Sequence, residues 1–543
     1  MNRSRRPFVL APLLLALAAP LSAQANRNDD VNVTVIETKT PVALGREGVF
    51  PDGRNGISFE TTICNTGDVK LDWRAPMSTR HPFICFLIAR ESDGRLVQIS
   101  DRSYVKHGIA AANASDCGVC TEPFGNLLGI GCSDTYSLGL NGDRYTLGPP
   151  DEIDPWLGLW QRTCSLFDRG EPPVGGPAEC DNVRSLNNQM AQNFGPVEHR
   201  IEVLDADLDV PGASFFTMTY YVVKTEPEKV RDDNMGTRRV TAAWTGSDWD
   251  FTIASPLKTG TILNRWSGAT VTSAANGEDD GRVYVGVKVT GPVNGLYHYE
   301  YAFHNRDNLR GVGAVRIPIC PYAELSGFGF KDVDADALNG WTATVDGDEL
   351  VVSTLDNPLR WNSIYNLWFD TDAAPEAGGL ELYAFDPGGG APSVSVAGTV
   401  PTGVFQRVLA GGCGPNVPSL AANGRATLGN AGFALTSGGN TPGATNVLLA
   451  GYGPARTLDP GLPTGPGCTL WPGGSAYALS VVVTDVTGNA THPLPIPNLV
   501  GLEGVDLVLQ CLESRAQGPG HVRSLTLSDG LLVRVGNTSL GCP

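Results

Sequence analysis

Basic residues are scarce in this chain: 39 lysines and arginines stand against 57 aspartates and glutamates, a net charge of −18 over 543 residues. That balance argues against a nucleic-acid-binding surface, which needs clustered cations to displace counterions from phosphate. It suits solubility in a dilute medium, or cation binding. Beyond the N-terminus no apolar run reaches the roughly 20 residues that a bilayer span takes, and no helical periodicity is sustained. Histidine is sparse too, with 7 in all. The P-loop, the dinucleotide fingerprint, the GxSxG elbow and the HExxH helix are all missing from the sequence. Acidic pairs are so numerous that spacing nominates no glycosidase dyad.

The N-terminus is informative. Residues 2–6 hold Arg3, Arg5 and Arg6, residues 7–19 are apolar and uncharged, and Ala23-Gln24-Ala25 fits a small-x-small cleavage pattern before a polar stretch. This predicts a secretory signal peptide over 1–25 and a secreted, periplasmic or cell-surface location. The apolar run is short for a membrane anchor. An ordinary general-secretion signal is the commoner form, although Ser4-Arg5-Arg6-Pro7-Phe8-Val9 also resembles the twin-arginine pattern that exports folded proteins.

After the signal, Gly (66) and Pro (39) punctuate short apolar runs, which marks turns and not disorder. Residues 31–36 and 57–64 alternate and are β-branched, and 283–289 and 297–304 alternate cleanly, so each reads as a strand. Pro318 cannot donate to a ladder, which places its strand at an edge. At roughly 150 residues per domain, the length suggests several units. The predicted organisation is all-β, with β-sandwich-like units: a cysteine-rich N-terminal domain over 26–258, a β-sandwich over 259–402, and a small β module over 403–543. Residues 107–185 form a long loop region in the first domain, of a length that is usually functional or stapled by disulfides.

Twelve cysteines in an exported chain point to disulfides. Cys164 with Cys180 and Cys413 with Cys468 are reasonable pairs, although spacing alone does not decide connectivity. Cys117-Gly118-Val119-Cys120 is a CxxC. It lacks a second pair at zinc spacing and a thioredoxin-like context, so structural disulfides are the expectation there.

Several segments carry a family resemblance: Thr62-Ile63-Cys64-Asn65-Thr66-Gly67, His81-Pro82, Val105-Lys106-His107-Gly108, and Gly129-Ile130-Gly131-Cys132-Ser133-Asp134-Thr135-Tyr136, with Leu147-Gly148-Pro149 and Asp154-Pro155. On these the first unit resembles a family of secreted proteins from planctomycetes and related environmental bacteria, as does the second through Tyr297-His298-Tyr299-Glu300-Tyr301-Ala302. The third is similar to a C-terminal β module of exported planctomycete proteins, through Gly412-Cys413-Gly414, Leu428-Gly429-Asn430, Gly467-Cys468-Thr469-Leu470 and Leu494-Pro495-Ile496-Pro497. The resemblance implies export and carries no assigned activity.

The strongest candidate constellation is His81 and His107 with Cys132, Asp134, Glu152 and Asp154. Imidazoles and carboxylates converging on a loop would bind a transition metal or act as acid and base. Against this, each histidine in isolation is as well explained by capping a turn or satisfying a buried carbonyl. His298, Glu300 and His304 share one face of a strand, but residues six apart lie about 20 Å apart at roughly 3.3 Å per residue. That face is therefore expected to be polar and solvated, opposite an aromatic core face of Tyr297, Tyr299, Tyr301 and Phe303. Asp205-x-Asp207-x-Asp209 and Asp332-x-Asp334-x-Asp336 place carboxylates at alternate positions, which suits calcium, without an EF-hand's Gly and Glu. Trp156 and Trp160, if exposed, would stack on sugars; in a sandwich a tryptophan is more often core. The leading expectation is a secreted or cell-surface structural or binding protein with a polysaccharide or cell-surface partner. The alternatives are a metal-dependent enzyme centred on His81 and His107, and an extracellular carbohydrate-binding protein.

Overall fold

The structure is a computed structural model that describes residues 29–169, 179–276, 281–320, 323–334, 336, 338–402, 406–414, 416–451, 456–457, 468–472, 477–515 and 524–536. The expected signal peptide over 1–25 lies outside the described residues, as does Cys542, one of the twelve cysteines. The fold is all-β, built from several antiparallel sheets. Each described sheet draws its strands from one of three stretches, 33–259, 270–400 or 406–534. The strand Lys258–Thr259 pairs with Met235–Trp244, so a boundary between 258 and 259 would cut a strand of the first stretch.

The first stretch is organised by Phe83–Ser92, whose leading residues are an unbroken apolar run. A strand with no polar alternation is stable only when both faces are covered. It lies between Val105–His107 and Ser214–Val222 in the central sheet, which continues through Met235–Trp244 to Trp249–Ile253. Ile84, Phe86 and Ile88 face a core with Val33, Val35, Phe59 and Trp73. Phe83, Cys85, Leu87 and Ala89 face the other way, into a core shared with Tyr284, Ala302, Trp361 and Ile364 of the second stretch. Alternation along one strand thus feeds two separate cores.

The second stretch is a sandwich of two five-stranded sheets. Tyr299, Tyr301, Phe303, Leu367 and Phe369 point between the sheets, against Val315, Ile317, Val352 and Leu380. The opposite face corrects the expectation of a solvated surface: Glu300 is 4% exposed and His304 0%. The central sheet of the first stretch covers it. A second correction concerns Pro318. Its strand, Val312–Pro318, is paired on both sides and is therefore interior. Proline is tolerated because it is the last residue, and the ladder to Glu376–Ala384 has already ended at Arg316.

The third stretch packs a sheet of strands Gln406–Leu409, Gly530–Arg534, Asp506–Arg515, Thr445–Gly451 and Tyr477–Val483, with Ser524–Leu527 paired to Asp506–Arg515, against a three-stranded sheet. Leu428, Phe433, Leu435, Leu448, Leu509 and Val533 form its own core.

Four disulfides staple the described chain: Cys64–Cys117, Cys120–Cys132, Cys164–Cys180 and Cys413–Cys468. The last two are the pairs nominated from the sequence. Cys320 is disulfide-bonded as well. Cys85 and Cys511 are buried thiols.

Candidate functional site

The Val105–His107 strand carries His107 to the edge of the central sheet, beside Phe83. The loop before Phe83 brings His81 to the same place, and the two rings meet with His81 Nε2 2.9 Å from His107 Nδ1. Phe83, Trp160 and Phe167 surround His107 at ring separations of 5.2, 4.8 and 4.8 Å. Gly148 closes the enclosure, since a Cβ there would sit 2.7 Å from His107 Nε2. Burial, with a smaller contribution from the Lys106 charge, holds His81 at about 3, and burial pushes His107 well below the ordinary imidazole range. Both rings are therefore neutral at pH 7, and one donates its N–H to the other.

Lys106, between them in sequence terms, is itself fully buried and donates to Thr146 Oγ1. Burial lowers its ammonium to about 7. Nothing in Val105-Lys106-His107 signals from sequence that the lysine would be enclosed. A cavity of 450 Å³ adjoins His81 and is lined by Leu71, Asp72, Arg80 and Val223. The carboxylate it offers, Asp72, is ion-paired with Arg74 at 3.2 Å and Arg80 at 3.8 Å.

The other members of the predicted constellation are engaged elsewhere. Asp134 lies on Ser133–Tyr136 in a different sheet, where it accepts from Trp73 Nε1 at 2.6 Å and Ala112 N at 2.7 Å. Cys132 is bonded to Cys120. Glu152 accepts from Leu166 N at 2.6 Å and Trp160 Nε1 at 3.2 Å, and Asp154 from Leu157 N at 2.9 Å. Trp156 and Trp160 are 2% and 5% exposed, so neither offers a ring to a sugar. Among the described residues no group of three or more His, Cys, Asp or Glu is arranged to hold a metal.

Asp332, Asp334, Asp336, Asp205 and Asp207 of the two acidic runs are spent on local structure. Asp332 accepts from Asp334 N at 3.2 Å and Asn357 Nδ2 at 2.7 Å, Asp334 from Asp336 N at 2.8 Å and Asn339 Nδ2 at 3.0 Å, and Asp336 from Leu338 N at 2.9 Å. Each carboxylate thus caps the next turn. Asp205 opens a short helix and is fully enclosed. It receives Arg46, Asn55 Nδ2 at 2.8 Å, Trp249 Nε1 at 2.8 Å and Gly53 N at 3.0 Å. Burial raises its carboxyl, but these donors outweigh it and hold Asp205 far below the usual range. Asp207 pairs with Arg90 at 2.9 Å.

His298 bonds Asp370 at 2.6 Å and Glu300 at 2.8 Å. Arg95 of the first stretch donates to Glu300 at 2.6 Å and lies 3.3 Å above the Trp368 ring. His304 bonds Thr261 at 2.8 Å. These residues form a polar wall between the first two stretches. A second wall, unanticipated from sequence, gathers Arg231, Arg306 and Asp307, all at most 1% exposed. Asp307 accepts from Arg231 at 2.8 Å and Tyr220 at 3.2 Å. Arg306 reaches Glu228 and Asp232, both at 2.9 Å.

No protein-family model and no curated protein matches the chain. Among solved structures, it is similar to the major pilin subunit of Bacillus cereus at 12% identity and a TM-score of 0.20, over 64% of this chain and 90% of that one. It is also similar to Escherichia coli alpha-2-macroglobulin activated by porcine elastase, at 9% identity and a TM-score of 0.14, over 94% of this chain and 35% of that one. A Salmonella alpha-2-macroglobulin mutant matches at 10% identity and a TM-score of 0.15, over 94% of this chain and 33% of that one. Likenesses this slight carry no argument about function.

Proposed function

We propose that the chain is a secreted or cell-surface structural and binding protein, a β scaffold rather than a catalyst. One observation carries this reading: its chemistry-bearing side chains are spent inside the walls between sheets. His81 is closed on His107, Asp205 on Arg46 and Trp249, and Asp307 on Arg231. A catalytic group must reach a substrate with a free lone pair or proton; Asp205 and Asp307 are fully enclosed among their donors, and His81, which borders the 450 Å³ cavity, is turned onto His107. Disulfide stapling of the loops suits an oxidising compartment.

The contact of two imidazoles at 2.9 Å is what favours the competing reading, a transition-metal enzyme. Elemental analysis of the purified mature protein separates the two. We expect less than stoichiometric copper, zinc and iron; one equivalent of any of them would overturn the scaffold reading, whereas calcium alone leaves it standing. Protease shaving of intact source cells supplies the second check, with loss of the intact band expected. Full protection in intact cells, with no protein in the medium, would contradict a surface or secreted role.

A further inference from the structure

A second cavity, of 590 Å³, opens where the first stretch meets the sandwich. Arg102 and Asp151 come from the first stretch, and Arg310, Asp356, Arg360 and Asp386 from the second. Its walls are tied to one another. Arg102 Nε donates to Trp361 O at 3.3 Å, and Trp361 Nε1 donates across the junction to Pro150 O at 3.2 Å. Arg310 Nε donates to Asp386 O at 2.8 Å, and Asp386 N returns to Arg310 O at 3.1 Å. A cleft held in this way binds without first paying the entropy of ordering its side chains.

The composition of the walls says what class of ligand fits. Three guanidinium groups face the cleft together with three carboxylates, with Arg102 paired to Asp151 and Arg360 to Asp386. An anion would meet the carboxylates and a cation the guanidinium groups, so neither gains net electrostatic energy. A neutral polyhydroxylated ligand gains from both, because every hydroxyl donates and accepts. The Asp151 and Asp386 side chains are 75% and 43% exposed, leaving their oxygens within reach of such hydroxyls. Trp361 and Tyr365 back the cleft but are too enclosed to stack on a ligand, so its apolar contact comes from Leu309, 38% exposed, which supplies a rim for C–H faces. The volume lies in the range of small-molecule sites.

We infer that this cleft binds a neutral saccharide, a segment of an extracellular polysaccharide; the inference rests on the binding-scaffold reading and names its ligand class. It is tested by titration calorimetry of the full mature protein. The probes are neutral gluco-, xylo- and manno-hexaoses, with oligogalacturonate and sulfate as charged probes. At least one neutral hexaose should saturate the protein. Its affinity should hold as sodium chloride rises from about 0.05 to about 0.5 M, because no net charge is neutralised. Arg360→Ala, which removes a donor, and Leu309→Trp, which fills the cleft without touching its charges, should each weaken binding about tenfold or more. Their melting temperatures identify any variant that fails to fold, and the other variant then decides. Absence of binding by every neutral hexaose, or wild-type binding by a folded variant, overturns the inference and leaves the scaffold reading intact. Salt-sensitive binding of the charged probes alone also overturns it. Release of new reducing ends from a bound hexaose would keep the cleft and overturn the scaffold reading instead.

Discussion

His81 has an ordinary imidazole value of 6.5 in the unfolded chain, and burial carries it to about 3 in the folded one. Below pH 6.5 the unfolded chain takes up a proton that the folded chain refuses, so this group's stabilisation is complete above 6.5 and is lost as pH falls toward 3. His107 acts in the same direction. Asp101 and Glu226 act oppositely: burial raises both to about 7, so their contribution is present in acid and lost as pH rises through 7. The overall profile mixes both signs, and only a variant isolates the pair. Replacing both rings, His81→Phe with His107→Phe, should remove the histidine component of the pH dependence and leave that of the carboxyls. Relative to wild type, the variant should gain at least about 3 kcal/mol between pH 7 and pH 4 in urea titrations, the share of His81 alone. Parallel curves for the two proteins would refute the linkage. Asp205 gives a test of opposite character, since it is a buried acceptor with donors from Arg46, Asn55, Trp249 and Gly53. Asp205→Ala strands all of them and should cost about 3–5 kcal/mol by denaturant unfolding; a loss under about 1 kcal/mol would show that the donors find water instead.

At the scale of elements, the sequence reveals which residues share a face but not what lies against it. Alternation over residues 297–304 correctly separates Tyr299, Tyr301 and Phe303 from His298, Glu300 and His304. The polar side still ends up buried, because Arg95 and Thr261 of a distant segment arrive to pair with it. Residues 305–308 are limited in the same way: four polar residues in a row, Asn-Arg-Asp-Asn, give no sign that Arg306 and Asp307 will be enclosed. Cysteine spacing was similarly half-informative. Cys164 and Cys180 are isolated from the crowded first cluster and pair with each other, whereas the CxxC splits, Cys117 going to Cys64 and Cys120 to Cys132. The loops closed by Cys164–Cys180 and Cys120–Cys132 span 16 and 12 residues. Loop-closure entropy at such lengths is about 3 kcal/mol. Cys164→Ser with Cys180→Ser should therefore lower stability by about that amount. An unchanged melting temperature in the double variant, with the wild-type bridge verified by mass spectrometry, would show the staple to be energetically idle.

For the whole molecule, the decisive fact is that the first two stretches share a core. Leu87, Phe216 and Met218 of the first pack with Tyr284, Trp361 and Ile364 of the second. Asp307 sits in the same junction, accepting from Arg231 and Tyr220 of the first stretch at 2.8 and 3.2 Å and from Arg282 N of its own at 2.8 Å. A charge so enclosed is tolerable only while its partners are in place, so separating the two stretches exposes apolar surface and strands an ion network at once. The third stretch has its own core, and the ion pairs of Arg425 with Glu376 and of Arg534 with Asp372 are among its ties to the second. The Arg425 pair is half-exposed and contributes at most about 1 kcal/mol, and the Arg534 pair, although enclosed, is long at 3.6 Å. Sequence patterning marks three units of similar β character; the shared core predicts that they melt as two. Calorimetry of the mature protein should accordingly show two transitions, the larger from the first two stretches melting as one. Asp307→Asn weakens the partner charges of Arg231 and Arg306 without changing volume, and should lower only the larger transition, by several degrees. Three resolved transitions, or an equal downward shift of both, would show that the shared core does not couple the stretches as the packing requires.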